Sequence, residues 1–237
     1  MSSNNLRWGV LLSQLLLVGQ AAHAGVTAER TRVILTEGQR EASLLLVNQN
    51  TYPVIVQTWI DDGDLNSSPQ ASRAPIMPLP PMFRLEPKQQ RSLRLIPIDR
   101  SLPQDRESLY WLNLYEIPPQ SNGPVAEGQS KMTVTLRTQM KVIYRPRTLA
   151  KGAEDAPRQL RFQRQGETLQ VKNPTPYFIS LAGAELGSGA QLTAGELLPP
   201  FSSRSLSFIQ VLADAHVEVR FSWIDDAGNL QQDIRSH

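Results

Sequence analysis

The residues able to do chemistry are few, and their placement excludes most of it. The chain has three histidines and no cysteine. His23 falls in the N-terminal leader and His237 is the last residue, so one histidine, His216, remains in the body. That argues against a histidine metal cluster, a Ser-His-Asp triad or thiol chemistry. No G-x-S-x-G, P-loop or H-E-x-x-H motif occurs. Gly183–Gly189 lacks the lysine and following helix that a phosphate cradle needs and reads as a turn. Two carboxylate pairs, Asp61-Asp62 and Asp225-Asp226, have the composition of a glycosidase acid–base couple. Adjacent residues of an extended strand point to opposite faces, however, and each pair precedes a glycine-containing turn, so hairpin tips explain them better. The Asn66-Ser67-Ser68 sequon matters only in a eukaryotic secretory pathway. The sequence shows no catalytic residue, no metal site and no cofactor motif.

The elements that would position any site are strands. In Met132–Tyr144, Met132, Val134, Leu136, Met140, Val142 and Tyr144 share one parity, while Thr133, Thr135, Arg137, Gln139 and Lys141 fill the other. At about 3.4 Å per residue this segment would reach roughly 44 Å, against the usual 17–20 Å or so. A long apolar-striped strand that closes a domain is expected at a sheet edge, where it can pair with another chain; a long central strand buried on one face is the alternative. Further alternating or apolar runs are Arg32–Leu35, Ala42–Asn48, Val54–Ile60, Ser92–Ile96 and Leu109–Ile117. After residue 147 they continue at Leu160–Gln163, Thr168–Lys172, Phe178–Leu181, Ser205–Phe208 and Val217–Trp223. The proline-rich Pro75–Pro87 reads as a rigid extended connection.

Arg7, the apolar run Val10–Val18 and Ala22-His23-Ala24 compose a secretory signal with cleavage before Gly25. The run is too short to span a membrane, although an uncleaved anchor is the alternative. Lys+Arg 24 against Asp+Glu 22 is near balance, with no basic tract for nucleic acid or a membrane surface. Eighteen prolines and few helix-period segments point to an all-β chain. Its length suits two domains, expected at 25–147 and 148–237 after a signal peptide at 1–24. The halves echo one another: Val47–Val54 resembles Val171–Phe178, and Trp59-Ile-Asp-Asp62 resembles Trp223-Ile-Asp-Asp226. Two similar sandwiches in tandem are the expected architecture.

Arg30–Ile34, Pro103–Pro119, Met132–Pro146 and Asn173–Tyr177, in this order, resemble the periplasmic pilus chaperones of the PapD-like family over essentially all of the chain after the leader. The resemblance implies two immunoglobulin-like sandwiches joined at an angle with a cleft between them. It implies a periplasmic chaperone that binds nascent pilus subunits and delivers them to an outer-membrane usher. Subunits of that family lack their last strand; the chaperone's long strand fills the groove, here with Met132, Val134 and Leu136. Two cleft cations that grip the subunit's C-terminal carboxylate correspond to Arg32 and Lys141. Charge-assisted bonds of this kind are worth roughly 1.5–3 kcal/mol each, and anchoring the chain end fixes strand register. By themselves, Lys141 would be an edge-blocking lysine and Arg32 a solvated charge at a strand start. A charge network that sets the interdomain angle corresponds to Arg94, Glu107, Arg145 and Asp226, with Asp225 as the alternative to Asp226. The Pro118–Lys131 connection resembles the shorter of the family's two loop types, which implies rod-type pili. The implied partners are pilus subunits and an usher, with no nucleic acid, membrane insertion or small-molecule substrate.

Two other classes compete. An exported immunoglobulin-like adhesin or ligand-binding module explains the sandwiches but not Arg32 and Lys141 in matching contexts. A hydrolase on a β scaffold lacks the residues.

Overall fold

A computed structural model of the chain describes residues 25–98, 101–119, 133–165, 168–187, 190–191, 195–207 and 218–235. The first half carries β1 (Val26–Ala28), β2 (Arg32–Thr36), β3 (Ala42–Asn48), β4 (Val54–Asp61), β5 (Ile76–Leu79) and β6 (Met82–Leu85). It continues with β7 (Gln90–Pro97), β8 (Ser108–Ile117) and β9 (Leu136–Arg145). The second half carries β10 (Arg161–Gln165), β11 (Thr168–Asn173), β12 (Ile179–Leu186) and β13 (Ala190–Gln191). It ends with β14 (Glu196–Leu198), β15 (Ser202–Ser207), β16 (Val219–Ile224) and β17 (Leu230–Arg235). Short 3-10 turns at Arg147–Leu149 and Ala156–Gln159 occupy the proline-flanked connection between the halves.

Each half is a sandwich of two sheets around its own core. The first packs β1-β3-β7-β5 against β2-β9-β8-β4-β6, with Leu35, Leu44, Leu46, Leu93, Leu95, Leu112 and Tyr144 among its buried side chains. The second packs β10-β11-β15 against β13-β12-β16-β17, with β14 also on β12, around Phe162, Val171, Leu198, Phe221 and Trp223. Strand alternation drives both: in β3 the pattern Leu44, Leu46, Asn48 faces inward while Ser43, Leu45 and Val47 do not.

Several expectations need correcting. Pro75–Pro87 holds two strands, β5 and β6, which close opposite sheets on either side of a cis Leu79–Pro80 bond. Both lie at sheet edges, where a missing proline N–H leaves no ladder donor wanting. The long strand begins at Leu136 rather than Met132; Thr133–Thr135 are not strand, and Met132 lies outside the described residues. It is only partly an edge. β2 pairs with it in parallel from Lys141 to Arg145, while, among the described residues, 136–140 pair with β8 alone. Asp61 is no hairpin tip: it ends β4 before a long connection and is buried, accepting from Trp59 Nε1 (3.1 Å), the Gly63 amide (2.9 Å) and Asn113 Nδ2 (2.7 Å). Asp225 and Asp226 do sit on the β16–β17 turn, where Gly228 adopts φ +91°. Gly183 lies inside β12 at a register shift and not in a turn.

The internal echo is real in one segment and accidental in the other. Asn48 and Asn173 each end a strand, fully buried, and each side chain makes the same set of bonds. Asn48 Nδ2 donates to the carbonyls of Tyr52, Leu85 and Glu86; Asn173 Nδ2 donates to those of Tyr177, Leu198 and Pro199. Each Oδ1 accepts the amide two residues on, at Asn50 and Thr175. The equivalence is Asn48 with Asn173, one position off the alignment read from the sequence. The next strands, β4 and β12, are therefore counterparts, whereas Trp223 lies on β16, so its likeness to Trp59 on β4 is coincidental.

Asn173→Ala should strand three carbonyls at once and cost about 2–4 kcal/mol, since each buried polar group left unsatisfied costs ~1–3 kcal/mol. Urea unfolding measures this, with exposed Lys172→Ala as a control expected to stay within about 0.5 kcal/mol of the parent.

Candidate functional site

The parallel ladder between β2 and β9 places Arg32 directly opposite Lys141. Both side chains converge on one oxygen of the second sandwich. Lys141 Nζ is 3.1 Å from Ser180 Oγ, Arg32 Nη1 is 3.4 Å from the same atom, and Arg32 Nη1 also donates to the Ile224 carbonyl at 3.0 Å. Lys141 Nζ stands 5.8 Å over the Trp111 ring, within cation–π range. Arg32 is buried, and its Nε is the one buried side-chain polar atom among the described residues with no hydrogen-bond partner. No ion pair among the described residues includes Arg32 or Lys141. Burial pulls the Lys141 ammonium below the ordinary lysine range, and the nearby Arg32 charge pulls it the same way. Burial also lowers Arg32, against the pull of Asp226 and Asp225. Two desolvated cations thus share a hydroxyl, an arrangement that a carboxylate would relieve.

Four residues further along β9, Arg145 meets the opposite fate. Its Nε donates to Glu107 Oε1 at 2.6 Å, and its Nη1 and Nη2 grip Asp226 at 2.7 and 3.1 Å. Glu107 Oε2 accepts the Phe178 amide at 2.7 Å, and the Glu107 amide donates to the Pro176 carbonyl at 2.9 Å. Burial pushes the Glu107 carboxyl up, and Arg145 counters it. The Arg145 guanidinium is desolvated too, yet its bonds to Asp226 and the charge of Glu107 outweigh that and raise it. The Arg145 side chain is 8% exposed and Glu107 0%, against 46% for Asp226, so the strong half of the clamp is Arg145–Glu107. Beside it, a Cβ on Gly228 would stand 2.9 Å from Thr31 Oγ1, so the β16–β17 turn meets the residue before β2 through a position that only glycine suits.

Three of the four residues expected in the charge network therefore meet, and Asp226 rather than Asp225 is the partner. Arg94 does not join them. It lies on β7, in the other sheet, and its half-exposed side chain donates from Nε to Glu41 Oε2 at 2.7 Å. Of the groove-filling residues, Val134 and Leu136 are 58% and 45% exposed, although they share the parity of buried Met140, Val142 and Tyr144. The apolar stripe outruns its own core. The other parity is held down: Arg137 Nε donates to Asn113 Oδ1 at 2.8 Å with its guanidinium 4.9 Å over Trp59, Gln139 Nε2 donates to the same oxygen at 3.0 Å, and the Tyr115 hydroxyl bonds Thr135 Oγ1 at 3.0 Å.

Sequence reasoning missed Ser180, Trp111 and the Ile224 carbonyl. Nothing local marks them: Ser180 and the Ile224 carbonyl matter only through the meeting of the two sandwiches, and Trp111 only through its place opposite Lys141 in the β8–β9 ladder. Tyr177, at the end of the Asn173–Tyr177 segment, also joins the site: its ring sits 5.7 Å from the Arg145 guanidinium and its hydroxyl reaches the Leu149 and Lys151 carbonyls at 3.0 and 2.8 Å. The ≈ 420 Å³ cavity between the halves is lined by Arg32, Ser180, Arg145 and Asp226 but not by Lys141, so it adjoins the Arg32 side of the cation pair.

Comparison with known proteins bears on the family. A family model for the pili and flagellar-assembly chaperone PapD N-terminal domain matches residues 25–150, and one for the pili assembly chaperone PapD C-terminal domain matches residues 155–234. The chain is 33% identical over 225 residues to the chaperone protein FimB/FhaD of Bordetella pertussis, covering 92% of this chain and 90% of that protein. It is 31% identical over 226 residues to the chaperone protein FimC of Escherichia coli K12, covering 94% and 88%. The structure of the Salmonella enterica SafA pilin in complex with the SafB chaperone matches with a TM-score of 0.79 and 30% identity over 90% of this chain and 97% of that one. The YadV chaperone matches with a TM-score of 0.76 and 28% identity over 90% and 99%. With both sandwiches matched over nearly their whole length, the chain belongs to the PapD-like family of pilus assembly chaperones.

Proposed function

We propose that this chaperone is exported with removal of residues 1–24, works in the periplasm as two units, 25–147 and 148–237, and captures pilus subunits for delivery to an outer-membrane usher. The observation that carries the reading is the convergence of Arg32 and Lys141 on Ser180 Oγ, with neither in an ion pair among the described residues, at the foot of a strand whose apolar stripe emerges at Leu136 and Val134. The SafB neighbour was solved with a pilin, and a pilin is the partner the chemistry here suits. The subunit's C-terminal carboxylate accepts from Arg32 and Lys141. Its last residues pair with the edge of β9 that β2 leaves open, and Met132, Val134 and Leu136 fill the subunit's groove; chaperone–pilin pairing is itself a standard example of such strand addition. Glu107, Arg145 and Asp226 hold the angle between the units, so that the carboxylate seat and the donated strand stay in register.

Parity makes the first test. Leu136→Glu should place a carboxylate in an apolar groove, costing several kcal/mol of complex stability, roughly the range for a poorly compensated buried polar group. Thr135→Glu, on the opposite face, should lose only its bond to Tyr115 and retain most capture. Equal loss of copurified subunit in the two variants would rule out donation in this register.

The cation pair makes the second. Lys141→Ala or Arg32→Ala removes one of two mutually repelling charges, so the free chaperone should melt at or slightly above the parent temperature while copurified subunit is lost. Lys141→Arg, which keeps charge but alters tip geometry, should recover part of the yield. Wild-type subunit recovery by a normally melting Lys141→Ala would refute the anchor.

The third test is pH. Because burial and the neighbouring Arg32 charge lower the Lys141 pKa, its ammonium is lost at lower pH than an ordinary lysine would lose it. Capture should therefore weaken as pH rises through that lowered value, and Lys141→Arg should remove the dependence. A profile unchanged by Lys141→Arg would separate the alkaline loss from Lys141.

A further inference from the structure

Glu116, near the end of β8, is 7% exposed, and among the described residues it takes part in no ion pair. Its two oxygens are occupied by neutral donors: Asn50 Nδ2 on Oε1 at 2.7 Å and the Val26 amide on Oε2 at 2.7 Å. A carboxylate so far from water is costly without a counter-charge. The nearest chain end expected by the sequence supplies one. Gly25 is buried, its nitrogen is 3.0 Å from Asn50 Oδ1, and Glu116 Oε2 is 3.5 Å from where a Cβ on Gly25 would stand. Hydrolysis of the Ala24–Gly25 bond consumes one water and leaves a carboxylate on Ala24 and an α-ammonium on Gly25. One amide donor becomes three N–H donors with a positive charge, beside two oxygens already in place.

We propose that Asn50 and Glu116 form a built-in seat for the α-ammonium that export processing creates at Gly25. This rests on the reading that the chain is cut before Gly25. The seat lies under the start of the donated strand. Glu116 pairs in register with Leu136, and Leu136 Cδ1 is 3.7 Å from the Gly25 Cβ position. The Gly25 carbonyl accepts the Gln49 amide at 3.0 Å, and Val26 pairs with Asn48, so a seated ammonium fastens β1 to β3 as well. In the uncut chain the same nitrogen is a neutral amide, and Glu116 lacks its cation. Processing therefore completes the floor on which Leu136 rests.

Among the described residues, the charged groups bonded at or next to the seat are Glu116 and Lys88. Glu116 faces it from β8. Lys88, on the turn before β7, is exposed and donates from Nζ to the Gln49 carbonyl at 2.6 Å. Asn48 of β3 and Leu136 of β9 are uncharged. Glu116 is therefore the anionic group of this set, with Oε2 on the Val26 amide and 3.5 Å from the Gly25 Cβ position.

The test has two independent stages. Mass spectrometry of the exported protein gives its first residue; any residue other than Gly25 overturns the premise before the seat is measured. On the chain beginning at Gly25, NMR titration of the 15N-labelled α-amino group should give a pKa about one unit or more above the ordinary 7.7–8.0, about tenfold in proton affinity. Glu116→Gln should return it to the ordinary value. Because the pKa is raised, the stabilisation is complete below the ordinary value and is lost as pH rises through the raised one. The Gly25 chain should thus melt above a chain retaining Ala24 near pH 7, roughly, and lose that advantage at alkaline pH. An ordinary α-amino pKa in the wild-type protein overturns the proposal even if Glu116→Gln fails to fold, and so does equal melting of the two chains at neutral pH. None of these readouts depends on subunit capture, so the seat and the chaperone reading can fail separately.

Discussion

The parallel pairing of β2 with β9 is the constraint on which the rest depends. Its register sets Arg32 against Lys141 at one end and Thr36 against Arg145 at the other. Lys141 and Arg145 share a face, and at about 3.3 Å per residue they stand roughly 13 Å apart along it. What holds the register is hydrophobic burial on the other face. Met140, Val142 and Tyr144 are at most 4% exposed, and a one-residue slip would turn them to solvent and the cations into the core. Core packing of the first sandwich thus dictates where the charges meet the second.

Along that face the two cationic positions divide the electrostatic roles. Arg145 is buried with partners on both sides, and its bonds tie the end of β9, the segment before β8 and the β16–β17 turn into one clamp. Removing Arg145 would leave buried Glu107 without a counter-charge, which makes the clamp a rigid joint. Arg32 and Lys141 are also desolvated, but they have only a hydroxyl, a carbonyl and an aromatic face between them. The joint is electrostatically complete and the cation pair is not. Ile143, between the two positions, is 2% exposed yet lies outside the first sandwich's core cluster and lines the cavity between the halves, so apolar contact accompanies the charges there.

Much of this was legible where the signal was local. Period-two alternation located β3 to the residue and most other strands to within a few residues, because a half-buried strand writes its geometry into its own side chains. Asn173-Pro-Thr-Pro-Tyr177 carried a resemblance whose physical content is the buried asparagine bonding three carbonyls. Long-range facts were less accessible. Arg94 lies on a strand of the expected kind, but whether it faces the joint depends on which sheet β7 enters, and Glu41 is its partner instead. β5 and β6 were hidden by prolines, which count against a strand only if both its edges must pair. β17, with Leu230 and Ile234 exposed, lacks an inward apolar stripe. Ser180 was invisible as a site residue because a serine in a strand is ordinary until two cations from another sheet reach it.

The stretch from Thr135 to Gln139 reconciles two demands that usually conflict. A strand offered to a partner needs exposed apolar side chains and open backbone groups, and such a segment left loose would bind at the cost of ordering each residue, about 1–2 kcal/mol of backbone entropy apiece. Here the polar parity is secured in advance. Arg137 and Gln139 both donate to Asn113 Oδ1, Asn113 donates to buried Asp61, and Thr135 is bonded by Tyr115. None of these bonds uses the side that carries Val134 and Leu136, and none occupies the edge that β2 leaves free before Lys141. Ordering of one face leaves the other available, so the entropy of forming the strand is largely spent before any partner arrives. Alternation, which elsewhere separates core from solvent, here separates polar side chains that are held from the exposed apolar Val134 and Leu136.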